Sequence, residues 1–137
     1  MSVKIFLDTN VLAYAADNAD PVRKKAAHRI LKEVVKTGSG VISTQVLQEF
    51  YVTATRKLGI DPIEAKNLAH SFEHFEIVTV SVSMIKDAVD CSVVNKISFW
   101  DALIVTAAEN ARAAVIYTED LNHLQIINGV KIANPFI

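Results

Sequence analysis

The sequence predicts a single α/β domain, a three-layer α/β/α sandwich with a mainly parallel central sheet. Short β-branched segments alternate with longer helical segments along the chain, which is the pattern of successive βαβ units. A chain of 137 residues fits one domain with a core of its own, and we see no repeat or linker that divides it. We therefore predict one domain over residues 1–137.

Five segments have the composition of strands, and six segments between or beyond them have that of helices. The predicted strands are 3–7, 40–43, 76–80, 114–117 and 130–132. The predicted helices are 9–17, 21–36, 44–58, 62–74, 82–95 and 99–111. The clearest starts are Asp20-Pro21 and Asp61-Pro62, where an N-cap residue precedes a proline at the first helical position.

Composition excludes several classes of protein. A net charge of −1 gives no basis for nonspecific binding to nucleic acid, and the four glycines form no phosphate-binding loop. The single cysteine, Cys91, cannot form an intramolecular disulfide. Asp8 and Asn10 interrupt the apolar start of the chain, and no stretch approaches the roughly 18 apolar residues of a membrane span. We expect a soluble cytoplasmic protein without membrane association.

Asp8 stands where the first predicted strand ends, in KIFLDTNVLAY. One interpretation is that it caps the following helix, because Asp is a preferred N-cap residue. The other is that it faces a ligand, because open α/β sheets bind ligands at the carboxyl ends of their strands. This segment alone favours neither interpretation.

Three further acids lie in comparable positions. Glu49 lies at the margin of the apolar face of helix 44–58, whose polar side includes Gln45, Gln48 and Thr55, and a glutamate there often extends to solvent. Asp101 follows Ser98 by three residues, which is the spacing of a capping box. Asp120 follows strand 114–117, where Asp commonly forms a turn. To the core face of helix 99–111 we assign Trp100, Leu103, Ile104, Ala107 and Ala111.

Taken together, the four acids predict a metal site. If strands 3–7 and 114–117 are neighbours, all four acids can meet at one edge of the sheet. Carboxylates gathered there repel one another and raise each other's pKa, and a hard divalent cation relieves this repulsion. We predict that Asp8, Glu49, Asp101 and Asp120 bind Mg²⁺ or Mn²⁺.

The motifs FLDTNVL, STQVLQEF, FWDALIVTAA and YTEDL resemble, in this order and over essentially the whole chain, those of PIN-domain ribonucleases, especially VapC-like toxins of toxin–antitoxin pairs. The resemblance implies hydrolysis of RNA phosphodiester bonds with Mg²⁺ or Mn²⁺. It implies catalytic and metal-binding roles for Asp8, Glu49, Asp101 and Asp120, and supporting roles for Thr9, Asn10 and Thr118. The last motif, TEDLNHL, lacks the Asn and Asp–Phe of many relatives, so the role of Asp120, direct or through water, stays open.

The resemblance also implies an RNA substrate and a cognate antitoxin protein. We expect a homodimer, for which helices 44–58 and 62–74 are candidate surfaces. Asp8 and Asp101 are the predicted direct ligands, and Glu49 ligates the ion or orients the attacking water. Candidate RNA-binding cations are Arg23, Lys24, Lys25, Arg29, Lys32, Arg56 and Lys57, although each alone fits a solvated helix face.

Two alternatives stand beside this hypothesis. The strand-end LDTN also resembles the nucleophile motif of haloacid-dehalogenase-like phosphatases, but the second Asp expected two positions later is Asn10. The other alternative is a PIN-like binding module without catalytic activity. The four intact acids argue against that module, and a measurement of activity decides.

Overall fold

The computed structural model describes residues 3–137 and confirms the α/β class; residues 1 and 2 of the predicted domain lie outside the described residues. The strands are β1 (Ile5–Leu7), β2 (Gly40–Ser43), β3 (Glu76–Val78), β4 (Val115–Tyr117), β5 (Ile126–Ile127) and β6 (Val130–Ala133). They form one sheet in the order β3-β2-β1-β4-β6-β5. Every pairing is parallel except that of β5 with β6.

Six α-helices accompany the sheet. They are α1 (Thr9–Ala15), α2 (Pro21–Thr37), α3 (Thr44–Val52), α4 (Pro62–Ser71), α5 (Val82–Asn95) and α6 (Phe99–Asn110). A π-helical turn (Thr53–Lys57) extends α3, and a 3-10 turn (Phe72–His74) extends α4. The predicted caps Asp20 and Asp61 accept hydrogen bonds from backbone N–H groups of the first turns of α2 and α4, which confirms both starts.

The helices form two groups that pack on the sheet. α1 contacts α2 and α3, and α3 contacts α4, whereas α5 packs against α6, which contacts β2, β4 and β6. Among residues 3–137 no single helix is long and apolar enough to cross a membrane; α5 and α6 reach that length and apolarity only as a pair bent by 116°.

The order of the strands decides where ligands meet the sheet. β1 lies between β2 and β4, and the chain runs from β1 to one side and later returns to the other. Such a switch point opens a crevice at the carboxyl ends of the strands. The backbone N–H of Asp8 donates to the carbonyl of Tyr117 at 3.1 Å, so the ends of β1 and β4 are joined there. The adjacency of these two strands, the condition for the four acids to meet at one edge, is therefore present.

Two details differ from the prediction. The two-residue strand β5 was not predicted, although Asn128-Gly129 is a typical hairpin turn and both residues have positive φ, at 51° and 80°. Trp100 was assigned to the core but is 61% exposed. Because α6 is buried all round from Ala102 to Ala108, its apolar residues do not define one face, and Trp100 precedes that stretch.

Candidate active site

The four predicted acids line one cavity of about 640 Å³ at the carboxyl edge of the sheet. Asp8 follows β1 and Asp120 follows β4, while Glu49 lies in α3 and Asp101 in the first turn of α6. Segments that are far apart in the sequence therefore bring their carboxylates to one place. Asp17 and Glu119 add two acids to the lining.

Asp8 fulfils both roles that the sequence left open. Its Oδ1 accepts a hydrogen bond from the backbone N–H of Thr9 at 2.7 Å, so the residue caps α1. The hydroxyl of Thr118 donates to the other oxygen, Oδ2, at 2.8 Å. Burial raises the pKa of Asp8 from its ordinary 3.8 to about 7; the charges of Asp120 and Glu49 add to the rise and the two hydrogen bonds oppose it. The buried carboxylate thus lies where added positive charge is favourable.

Thr118 connects three polar groups of the site. Its Oγ1 accepts from Asn10 Nδ2 and from the backbone N–H of Asp120, both at 3.1 Å, and donates to Asp8. A hydroxyl has one hydrogen and two acceptor sites, so that of Thr118 is fully used. Asn10 Nδ2 also donates to Asp120 Oδ2 at 3.2 Å. The supporting residues Asn10 and Thr118 therefore fix Asp8 relative to Asp120.

Glu49 is held from two sides. Thr9 Oγ1 donates to Oε1 at 2.8 Å, and Gln45 Nε2 donates to Oε2 at 3.4 Å. The carboxylate therefore turns into the cavity and does not extend to solvent. Gln45, which the prediction placed on a polar side of the helix, is only 4% exposed, because the polar side of α3 faces this cavity. Sequence reasoning missed Gln45 as a site residue; its spacing of four residues before Glu49 was the available signal.

Asp101 combines the predicted cap geometry with a place in the cavity wall. Its backbone N–H donates to the hydroxyl of Ser98 at 3.0 Å, as an N-cap interaction requires. Its side chain lines the cavity, and burial is the main cause that raises its pKa; the Ser98 hydroxyl opposes this rise and the charge of Asp120 adds to it. The capping interpretation is correct for the backbone N–H, and the same residue lines the cavity.

The lining fits a hydrated hard cation. Among residues 3–137 no three Asp, Glu, His or Cys side chains are placed to hold an ion by themselves. Two buried oxygens of the same lining, Asn10 Oδ1 and Gln45 Oε1, accept no hydrogen bond from the described chain. Mg²⁺ keeps several waters and binds through one or two carboxylates, so its waters can satisfy such free acceptors. Four carboxylates and two amide oxygens form the donor set that such an ion prefers.

Only some of the predicted RNA-binding Lys and Arg residues lie at the cavity. Lys57 lines it directly. Arg23 lies beside it: its Nε donates to Glu119 Oε2 at 3.3 Å, and its guanidinium lies 5.4 Å from the ring centre of Tyr14, another lining residue. Lys24 lines a second cavity near α4. The remaining members are exposed and do not line the active-site cavity: Lys25, Arg29, Lys32 and Arg56.

The raised pKa of Asp8 predicts how stability depends on pH without metal. The folded state holds this proton more tightly than the unfolded state, so its contribution is full below pH 3.8 and is lost as the pH rises through about 7. We expect thermal melts in EDTA to fall by several degrees as the pH rises from about 4 to about 7, and to level off above that. The Asp8→Ala protein should lack most of this fall, and excess Mg²⁺ should abolish it in the wild type. A flat wild-type profile in EDTA contradicts the assignment.

The chain is similar to one known protein family and to several solved structures over most of its length. The family model described as "PIN domain" matches residues 5–127. No curated protein matches the sequence significantly. Solved structures with similar folds include Mycobacterium tuberculosis VapC20, described as a sarcin-ricin loop cleaving toxin, at 21% identity and TM-score 0.72 over 85% of this chain and 90% of that one. A toxin–antitoxin complex from Klebsiella pneumoniae has 19% identity and TM-score 0.73, covering 96% and 98%. VapBC2 from Rickettsia felis, bound to a promoter DNA fragment, has 18% identity and TM-score 0.71, covering 95% and 97%.

Proposed function

The chain belongs to the PIN-domain family, and from that premise we propose that it is a metal-dependent ribonuclease that hydrolyses RNA phosphodiester bonds. The observation that supports this most strongly is the meeting of Asp8, Glu49, Asp101 and Asp120 in one cavity. Family membership overturns the alternative of a haloacid-dehalogenase-like phosphatase.

The residues of the cavity have different roles in the proposed reaction. Asp8 and Asp101 would hold Mg²⁺ or Mn²⁺, which supplies a more acidic bound water and positive charge opposite the scissile phosphate. Glu49, fixed by Thr9 and Gln45, orients the attacking water as an acceptor. The oxygen of that water forms a bond to phosphorus and loses a proton to solvent, while the bond from phosphorus to the leaving sugar oxygen breaks and that oxygen takes up a proton from solvent.

Cleavage of RNA tests this function directly. We expect purified protein to cleave single-stranded RNA with Mg²⁺ or Mn²⁺, EDTA to abolish cleavage, and added Mg²⁺ to restore it, because four acidic side chains cannot bind a phosphate without a cation. Asp8→Ala protein purified in the same way is the control for contaminating nucleases. Unchanged cleavage in EDTA contradicts the metal mechanism. Absence of cleavage from a panel of unrelated RNAs favours the non-catalytic binding module.

We further propose that the protein is the toxin of a toxin–antitoxin pair and acts in the cytoplasm. The similar structures from Klebsiella pneumoniae and Rickettsia felis are toxin–antitoxin assemblies, and the match covers 98% and 97% of their matched chains. The partner would be a separate antitoxin protein that binds the toxin and blocks its activity.

Expression without a partner tests the toxin assignment. We expect the wild-type protein to slow bacterial growth, and Asp8→Ala at the same soluble level to leave growth unchanged, since RNA cleavage would be the cause of toxicity. Equal growth in both cultures contradicts the toxin assignment, while the cleavage assay judges the nuclease assignment separately.

A further inference from the structure

Trp100 is an exposed aromatic side chain in the wall of the active-site cavity. It is 61% exposed, and it directly precedes Asp101 in the first turn of α6. We propose that its indole is a stacking platform for one unpaired nucleobase next to the scissile phosphate. This inference rests on the proposed nuclease function and adds to it a residue that contacts a base of the substrate.

The indole is positioned although it is exposed. Phe99 packs against it edge to face, with ring centres 5.1 Å apart and planes at 76°. In such a pair at most one face of the indole is covered, so a flat ring can approach the other. The backbone carbonyl of Trp100 accepts from Gln45 Nε2 at 3.2 Å, which fixes the turn that carries it. The fold therefore already restricts the position of the indole before a base binds, which lowers the entropy cost of binding.

The residues that line the cavity with Trp100 offer contacts for a base and for phosphate groups. Gln45 Nε2 donates to the backbone carbonyl of Trp100 and to Glu49 Oε2, so one side chain links the turn that carries the indole to one of the four acids. Val52, 52% exposed, adds apolar surface to the same lining. Lys57 is the one basic side chain among the lining residues of the described chain, and it can pair with a neighbouring phosphate. The same cavity thus offers an aromatic face for a base, acids for a cation that binds one phosphate, and a lysine for a second phosphate.

Stacking of this kind selects strand form and not sequence. Every base has an aromatic face, so an indole accepts all four, whereas a base inside a duplex has both faces covered. The proposal therefore expects a strong preference for unpaired RNA over duplex RNA, with little preference among bases at this subsite.

The protein contains one tryptophan, so tryptophan emission, excited selectively over that of the three tyrosines, reports on Trp100 alone. We would mix wild-type protein and Mg²⁺ with a single-stranded RNA dodecamer in a stopped-flow instrument and read the emission before turnover. The same RNA in a duplex and an abasic dodecamer are the comparison ligands. We expect quenching by the single strand only. Equal quenching by the duplex or the abasic oligomer, or none by the single strand, overturns the proposal.

Steady-state cleavage provides the second measurement. Loss of one base–aromatic stack corresponds to about 5- to 150-fold in affinity. We expect Trp100→Ala to raise KM by about that factor with kcat changed less than about threefold, and Trp100→Phe to recover most of the loss. Tyr51→Ala, which removes an exposed aromatic outside the cavity, should leave KM unchanged. A wild-type KM for Trp100→Ala overturns the proposal while the nuclease function stands.

The remaining outcomes separate this proposal from the function on which it rests. Quenching by single-stranded RNA without any cleavage supports the stacking site and contradicts the nuclease. Emission that changes with protein dilution and not with RNA identifies a second copy of the chain as the group that covers Trp100, which overturns the proposal.

Discussion

Thr118→Val is expected to lower cleavage by about 10- to 100-fold, the range typical of residues that orient metal ligands. The substitution keeps the shape of the side chain and removes only the hydroxyl. That hydroxyl is fully buried and donates to Asp8 while accepting from Asn10 and from the backbone of Asp120. Without it, the Asp8 carboxylate loses its link to the end of β4, and the two donors lose an acceptor.

The same substitution should destabilise the protein by about 2–4 kcal/mol, because it leaves buried polar groups without partners. Thermal melts and cleavage rates of the same preparation measure both effects. Thr118→Ser restores the hydroxyl and should recover most of the activity. Thr106→Val is the matched control: Thr106 is equally buried, but its hydroxyl bonds only to the carbonyl of Ala102 within α6. If Thr118→Val cleaves RNA as fast as Thr106→Val, Thr118 has no positioning role.

The edge of the sheet that carries the site could be predicted because it depends on strand ends. Asp8 and Asp120 both follow short β-branched segments, and a parallel sheet places the carboxyl ends of neighbouring strands together. The dual role of Asp8, cap and cavity acid, was also visible as two interpretations of one residue. The structure shows that they are compatible, because the cap uses one carboxylate oxygen and Thr118 the other.

The sequence analysis misplaced Gln45 and Trp100 for a common reason. Helical periodicity divides a helix into an apolar and a polar side, and it identifies the apolar side with the core and the polar side with solvent. A cavity at the sheet edge reverses both assignments: it buries polar Gln45 on α3 and exposes apolar Trp100 on α6. Departures of this kind from the simple pattern are expected at functional sites.

For the predicted RNA-binding cations, the sequence analysis assigned more residues to the site than the structure places there. The basic residues of α2 are close in sequence, but the helix turns most of them away from the cavity, whereas Lys57 reaches it from the π-helical turn after α3. Arg23 touches the site only through Glu119 and Tyr14, which the sequence analysis did not assign to it. A run of like charges gives no information about the direction in which its helix faces.

Asp101→Asn is expected to reduce cleavage by more than 100-fold, because a direct ligand should matter more than the residues that orient it. Without metal, the variant should be at least as stable as the wild type. Burial and the charge of Asp120 raise the pKa of Asp101, so its ionised form is disfavoured in the folded state, and a neutral amide of the same shape removes that cost. The cap is kept, because the Ser98 hydroxyl oxygen accepts from the backbone N–H of residue 101, whichever side chain that residue carries.

The effect of metal on thermal stability distinguishes a metal-binding role of Asp101 from a role at the helix N-terminus. At about 100-fold over its dissociation constant, a ligand that binds only the folded state adds about 2.7 kcal/mol, which is several degrees in Tm for a domain of this size. Wild-type protein should show that rise with Mn²⁺, and Asp101→Asn should show much less. Asp87→Asn, which neutralises an exposed acid of α5 outside the cavity, should gain as much as the wild type. If Asp101→Asn melts lower without metal and gains the full rise with Mn²⁺, its carboxylate serves the helix dipole and does not bind the ion.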